Sequence, residues 1–305
     1  MLIEEITASC HLAYANADTV KRCVGCTNNC QGSCEKCLEG IHYVKDDRRY
    51  NCPNIVNYYV CKYSFRYATE VETLLGVCPA FDDLSDYRIL SVGCGPCTDL
   101  FAFESSVDKK GSSTPIDYRG VDLDETWKPI HTRISNIAAK RGISTRFSYT
   151  DVLNLMAGLS GRPTQWVPNI LSLQYVLSDM ANHCTEQEML SFLDDVQQKI
   201  VSQMPTGSIV LLNDINLSSN NKPDGTAFKT SRHFFDRLHA EMKKAYKNLN
   251  RWTYHFKADS SYYRYGTEHD GNGVLYSVSD TIKKSYNPWL QCRSAQMVIK
   301  KGAAN

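Results

Sequence analysis

The sequence predicts an α/β fold, a mostly parallel sheet with helices on both faces, preceded by a small cysteine-rich module that binds metal. Three observations carry this. From residue 87 onward short apolar runs alternate with amphipathic stretches, the pattern of parallel strands joined by crossover helices. The first of these runs ends in a Gly-x-Gly turn, Gly93-Cys94-Gly95. Seven of the thirteen cysteines lie between Cys23 and Cys61, and such clustering suggests metal ligation rather than disulfides.

In chain order, Cys23-x2-Cys26 and Cys34-x2-Cys37 form two close pairs, with Cys30 between them and Cys52 and Cys61 beyond. Thiolates two residues apart turn both sulfurs to one side and grip one tetrahedral ion, so zinc is expected. With His42 there are eight candidate ligands, enough for two closed zinc sites; a single four-cysteine site with three buried thiols fits as well. An iron–sulfur cluster, also held by thiolates, is the alternative. The run Asn57 to Tyr67 reads as a connecting helix, with Tyr59, Tyr63, Arg66 and Tyr67 near one face, suited to packing or to closing over a ligand. Residues 1–70 are thus the metal-binding module with its helix, and 71–305 the α/β domain.

Strands are expected at Arg88–Val92, Tyr118–Val121, Arg146–Tyr149, Asn169–Leu173 and Ser208–Asn213. Helices are expected near 98–107, 125–141, 152–158, 186–202 and 231–248. After Asn250 the pattern turns strand-like at Trp252–Phe256, Val274–Val278 and Ser294–Lys300, which suits a terminal antiparallel pair. Residues 216–227, rich in Ser, Asn, Pro and Gly, read as a loop.

The 305 residues are 42% apolar and 22% charged, the composition of an ordinary globular protein. No apolar run approaches the roughly 20 residues of a membrane span, and Met1 to Tyr14 lacks the flanks of a signal peptide. A cytoplasmic location is expected, and the oligomeric state is left open. Charge is unevenly spread: residues 1–70 hold 8 basic and 8 acidic side chains, 71–227 hold 12 and 19, and 228–305 hold 14 and 6. The basic third also carries Phe234, Phe235, Tyr246, Trp252, Tyr254, Tyr262, Tyr263, Tyr265, Tyr286 and Trp289. Such rings either stack on the bases of an RNA partner or pack a core.

Three strand ends carry ligand-binding signals. Ile89 to Val92 run into Gly93-Cys94-Gly95-Pro96-Cys97-Thr98, where glycines allow close backbone approach and a helix begins. The next strand ends at Val121-Asp122-Leu123, placing a carboxylate for ribose hydroxyls. A third ends at Thr150-Asp151-Val152, where a carboxylate suits an adenine amino group, although an acidic residue there is also a common helix cap.

These stretches, over roughly residues 85–215, resemble class I S-adenosylmethionine (SAM)-dependent methyltransferases. The resemblance implies a Rossmann-like, seven-stranded, mostly parallel sheet. It also implies that Gly93, Cys94 and Gly95 line the methionine part of SAM, that Asp122 holds the ribose, with Leu123 beside it among the cofactor-binding residues, and that Asp151 with Val152 holds the adenine. Leu173, Gln174 and Tyr175 would face the methyl group. Cys97 stands where that family usually has a third glycine. A dinucleotide-dependent oxidoreductase is disfavoured, because its fingerprint needs glycine at the position of Thr98.

Because the sulfonium makes the methyl group electrophilic, transfer needs alignment and exclusion of water, and a base only if the acceptor loses a proton. Tyr175, Asp179, His183, Asn213 and Asp214 follow the fourth and fifth strands at the expected mouth, and Tyr175, Asp179 and Asp214 are the catalytic candidates. Sequences typical of DNA methylation are missing after the fourth strand, where the chain reads Leu173-Gln174-Tyr175-Val176-Leu177. The acceptor is therefore RNA, a small molecule or a protein. A non-enzymatic, metal-containing assembly or regulatory protein is the remaining alternative.

Overall fold

The computed structural model describes residues 1–17, 33–41, 50–159, 166–222, 225–257 and 264–305, with 156–159 as backbone only. Cys23, Cys26, Cys30, His42, Tyr262 and Tyr263 lie outside them. Helix α1 (Leu2–Ala15) is followed by α2 (Cys34–Glu39) and the long α3 (Pro53–Val77). The alternating part runs β1 (Tyr87–Val92), α4 (Thr98–Lys109), β2 (Ile116–Asp122), α5 (Lys128–Lys140), β3 (Ser144–Tyr149), α6 (Val152–Leu159), β4 (Ile170–Gln174), α7 (Val176–His183), α8 (Glu186–Asp195) and β5 (Ile209–Ile215). Then come β6 (Ser219–Asn221), β7 (Ala227–Lys229), α9 (Ser231–Ala245), β8 (Asn250–Phe256), β9 (Thr267–His269), α10 (Asp280–Tyr286) and β10 (Ser294–Lys300).

Among the described residues the main sheet has eight strands in the order β3-β2-β1-β4-β5-β10-β8-β9. The first five are mutually parallel, and β10 runs antiparallel between β5 and β8. Strand order reverses between β1 and β4, so this is a doubly wound, Rossmann-like sheet whose ligand crevice lies beyond the carboxyl ends of those two strands. The strand beyond the seven expected is β9, three residues paired to the edge of β8.

Successive side chains on a strand face opposite sides, and the apolar strands fill two cores by that alternation. Ile89, Ile209, Leu211 and Val298 join the core under α1, α3, α4 and α5. Leu90, Val210, Leu212, Met297 and Ile299 join the opposite one, against α7, α8 and α9. Phe234, Phe235, Tyr246, Tyr254, Tyr265 and Tyr286 of the basic third are buried in these cores.

Two expectations fail. Val274–Val278 forms no strand: Leu275 N donates to Thr69 Oγ1 at 3.0 Å, and Tyr276 is buried with Lys109 Nζ 5.5 Å from its ring centre. The segment thus packs on α3 and α4 instead of pairing. Residues 216–227 are not simply a loop, because Ser219–Asn221 pairs with Ala227–Lys229 as a hairpin.

Helix α3 starts at Pro53, whose fixed φ suits a first helical position. Every residue from Ile55 to Leu75 except Thr73 is buried, as expected of a helix packed on all sides. Its buried charges are paired: Lys62 with Glu35 at 2.6 Å, Arg66 with Glu70 at 2.9 Å and Glu72 with Lys109 at 2.6 Å. Residue 70, the expected domain boundary, falls inside this helix.

Candidate functional site

The crevice between β1 and β4 is built on a turn in which three residues adopt left-handed backbone: Gly93 at φ +59°, Gly95 at +44° and Cys97 at +61°. Glycine takes this conformation freely. At Gly93 a β-carbon would also lie 2.9 Å from Val176 Cγ2. Cys97 holds it at a cost of about 1–2 kcal/mol for a residue with a β-carbon. It is the residue preceding α4.

The end of β2 braces this turn. Cys94 N donates to Val121 O at 3.1 Å, and Gly95 N donates to Asp122 Oδ2 at 2.9 Å. Asp122 Oδ1 accepts from Asp124 N at 3.0 Å, so each oxygen of this half-buried carboxylate keeps a further lone pair for a ligand hydroxyl. Burial raises the Asp122 carboxyl above the ordinary range, against the pull of those two amides. Beside it Leu123 is 77% exposed, an apolar surface open to a flat ligand. Trp127 lies against Gly95, and Tyr50 and Tyr59 have ring centres 6.1 and 5.6 Å from that of Trp127.

Asp151 is exposed at the end of β3 and its Oδ1 accepts from Leu153 N at 2.7 Å and Asn154 N at 3.3 Å, so it caps α6. Val152 is buried.

At the end of β4, Leu173 is buried in the sheet and Gln174 is held at both ends of its amide. Thr98 Oγ1 donates to its Oε1 at 2.6 Å, and its Nε2 donates to Tyr67 O at 2.8 Å. Tyr175, at φ +58°, packs against Tyr67 with ring centres 4.1 Å apart and planes tilted by 30° and donates to Glu70 Oε2 at 2.8 Å. Tyr59, Tyr63 and Tyr67, spaced by four on α3, continue this ladder at 4.7 and 5.8 Å.

Glu70 is the centre of the network and is fully buried. It accepts from Arg66 Nε at 2.9 Å, Arg293 N at 3.0 Å, Tyr175 Oη and Asn213 Nδ2 at 3.1 Å. Sequence reasoning missed it; the signal was the i,i+4 pair Arg66 and Glu70 within an aromatic helix. It also missed His131, which no local pattern marks. His131 bonds Gly95 O through Nε2 at 2.7 Å and Tyr149 Oη through Nδ1 at 2.9 Å.

The three catalytic candidates have different surroundings. Tyr175 is committed to Glu70 and Arg66, and burial pushes its hydroxyl well above the usual phenol value. Asp214 is 1% exposed and its Oδ2 accepts from Ser178 N at 3.0 Å, which tethers the first turn of α7. Asp179 alone of the three is exposed. Partial withdrawal from water raises its carboxyl, opposed by His183 and reinforced by the Asp122 charge.

Of the candidate metal ligands, Cys34 and Cys37 are buried three residues apart on α2, Cys52 precedes α3, and Cys61 Sγ lies 3.5 Å from Thr7 O against α1. Among the described residues, three Cys, His, Asp or Glu side chains have ligand atoms within 4.8 Å of one another only at Cys94, Cys97 and His131, all buried.

No protein-family model and no curated protein matches the chain. Similar solved structures include a protein from Listeria monocytogenes assigned as a class I SAM-dependent methyltransferase, 12% identical over 95% of this chain and 70% of that one at a TM-score of 0.44. The plantazolicin methyltransferase, solved with a desmethyl substrate analogue and S-adenosylhomocysteine (SAH), is 12% identical over 99% and 100% at 0.44. The magnesium protoporphyrin IX methyltransferase of Synechocystis PCC 6803 with bound SAM is 10% identical over 94% and 100% at 0.42. With TM-scores below 0.5, these likenesses add no weight to an assignment of activity.

Proposed function

We propose that this chain is a SAM-dependent methyltransferase. The observation that carries the reading is the bracing of a left-handed Gly-x-Gly turn by Asp122, at the sheet's switch point, with the exposed Leu123 alongside. Gly93, Cys94 and Gly95 hold the methionine end, Asp122 the ribose hydroxyls, and Leu123, Asp151 and Val152 the adenine. Gln174, pinned at both ends, and Tyr175, fastened to Glu70, form a rigid floor that faces the methyl group. Bound SAM supplies an electrophilic methyl group. Asp179 takes a proton from an acceptor that must lose one, a role that its raised carboxyl favours. The aromatic ladder of α3 excludes water from this floor. A small molecule or peptide is the acceptor class we favour over RNA, because among the described residues Phe234, Phe235, Tyr246, Tyr254, Tyr265 and Tyr286 of the basic third are buried and offer no stacking surface.

Zinc is the second ligand of this reading. Cys34 and Cys37, buried three residues apart on α2, fit two corners of a tetrahedral thiolate site, and two of the remaining candidates Cys23, Cys26, Cys30, Cys52 and Cys61 complete it.

Calorimetry with SAH tests the proposal. Asp122→Ala should weaken SAH binding by about 1.5–3 kcal/mol, the loss of hydrogen bonds to a charged group. Asp151→Ala should cost less, since that carboxylate already caps a helix. Wild-type protein that binds neither SAM nor SAH overturns the assignment.

A further inference from the structure

We propose that Cys94 and Cys97 form a reversible disulfide inside the cofactor turn, made by peroxide and broken by a dithiol. The consequence for SAM binding rests on the reading above; the disulfide itself does not.

Four observations converge on the pair. Cys97 occupies left-handed backbone where glycine would be unstrained, so something other than the turn retains its side chain. Cys97 N donates to Cys94 O at 2.7 Å, closing a four-residue turn. Such closure holds the two Cα atoms within about 7 Å, against the about 4.4–6.8 Å that a disulfide spans. The Sγ atoms and a ring nitrogen of His131 share one buried group. Finally, burial opposes the Cys97 thiolate, but the Cys94 thiol and His131 outweigh it and bring Cys97 down to about 7, while burial holds Cys94 well above its ordinary value. One sulfur is the nucleophile and the other carries the proton.

Burial selects the oxidant. Cys97 is wholly inaccessible and Cys94 is 6% exposed, so an oxidant enters only when the turn opens, and a small peroxide needs a smaller opening than a bulky disulfide. The Cys97 thiolate attacks one peroxide oxygen, the O–O bond breaks, and hydroxide leaves as water with a proton from His131, giving a sulfenic acid. Cys94 then attacks that sulfur, and its proton leaves with the hydroxyl as a second water. Overall, two thiols and one hydrogen peroxide yield one disulfide and two waters. A dithiol reverses this by attacking the more exposed Cys94 sulfur, with the less basic Cys97 as leaving group. Closure draws Cys94 Sγ from its place beside Gly120, where a β-carbon would lie 2.7 Å from it, and so reshapes the wall of the methionine site.

The tryptic peptide Ile89–Lys109 contains these two cysteines and no other. After brief treatment of the full chain with hydrogen peroxide, unfolding and alkylation, it should appear two hydrogens lighter than the reduced form and unalkylated. Dithiothreitol should restore two alkyl groups, and glutathione disulfide should leave the peptide reduced. SAH affinity should fall at least tenfold on oxidation. In Cys97→Gly, whatever its affinity, that difference should vanish. A peptide that remains doubly alkylated, or that ends as sulfinic acid on Cys97, overturns the disulfide. Loss of a bound zinc ion on Cys94→Ser would make the cluster a metal site and overturn it too. A disulfide that forms in protein unable to bind SAH would leave this inference standing and remove the cofactor reading.

Discussion

Asp214 has no path to solvent among the carboxylates at the mouth of the sheet, and burial raises it to about 6 despite the amides of Ser178 and Ile215. Its folded value lies above the unfolded one of about 3.9, so the native state binds more protons between the two. The stability this contributes is complete below the unfolded value and is lost as pH rises through about 6. Asn at this position keeps an acceptor for Ser178 N and cannot ionise. Urea denaturation should show wild type losing on the order of 1–3 kcal/mol relative to Asp214→Asn between pH 4 and pH 7. A constant difference across that range would mean that Asp214 is not protonated in the native protein.

At the scale of elements, α3 is the member whose charges the fold must satisfy internally. Glu70 holds four donors drawn from α3, β5, the turn after β4 and the approach to β10, so it ties the floor of the site to the sheet. Removing it strands the Arg66 guanidinium, which also rests 4.9 Å from the Trp289 ring centre. Glu70→Ala should therefore cost about 3–5 kcal/mol. The double change Arg66→Met with Glu70→Ala should cost less than the sum of its parts, since no uncompensated charge remains. Chemical denaturation of the four proteins measures the coupling; additive costs would show that the pair is not interacting.

For the whole molecule, the cysteine segment and the sheet should respond differently to metal removal. Elemental analysis should find about one or two zinc ions per chain, the capacity of four to eight ligands. Chelation should open peptide bonds between residues 18 and 52 to protease while α3 stays protected, because its apolar length is packed between α1 and α4 in the main core. Metal-free protein with unchanged cleavage in that stretch would remove zinc from the account, and visible charge-transfer absorption from iron would indicate a cluster. No helix among the described residues is long and apolar enough to cross a membrane.

The sequence alone determined the alternating architecture, since strand and helix periodicities are local and the apolar runs of β1, β2, β4, β5 and β10 are unambiguous. It also located the Gly93 turn, Asp122 and the neighbouring strand ends, because sheet topology must bring successive strand ends to one edge. The tertiary structure decided which side chains face one another. It turned Asp151 into a cap, joined Tyr175 to Glu70 across 105 residues, and placed His131 against Cys94 and Cys97. It also took the Val274–Val278 run out of strand pairing by giving its backbone a partner on α3. Those outcomes depend on packing between segments far apart in the chain, and a hydrogen bond over such a separation leaves no periodicity to read.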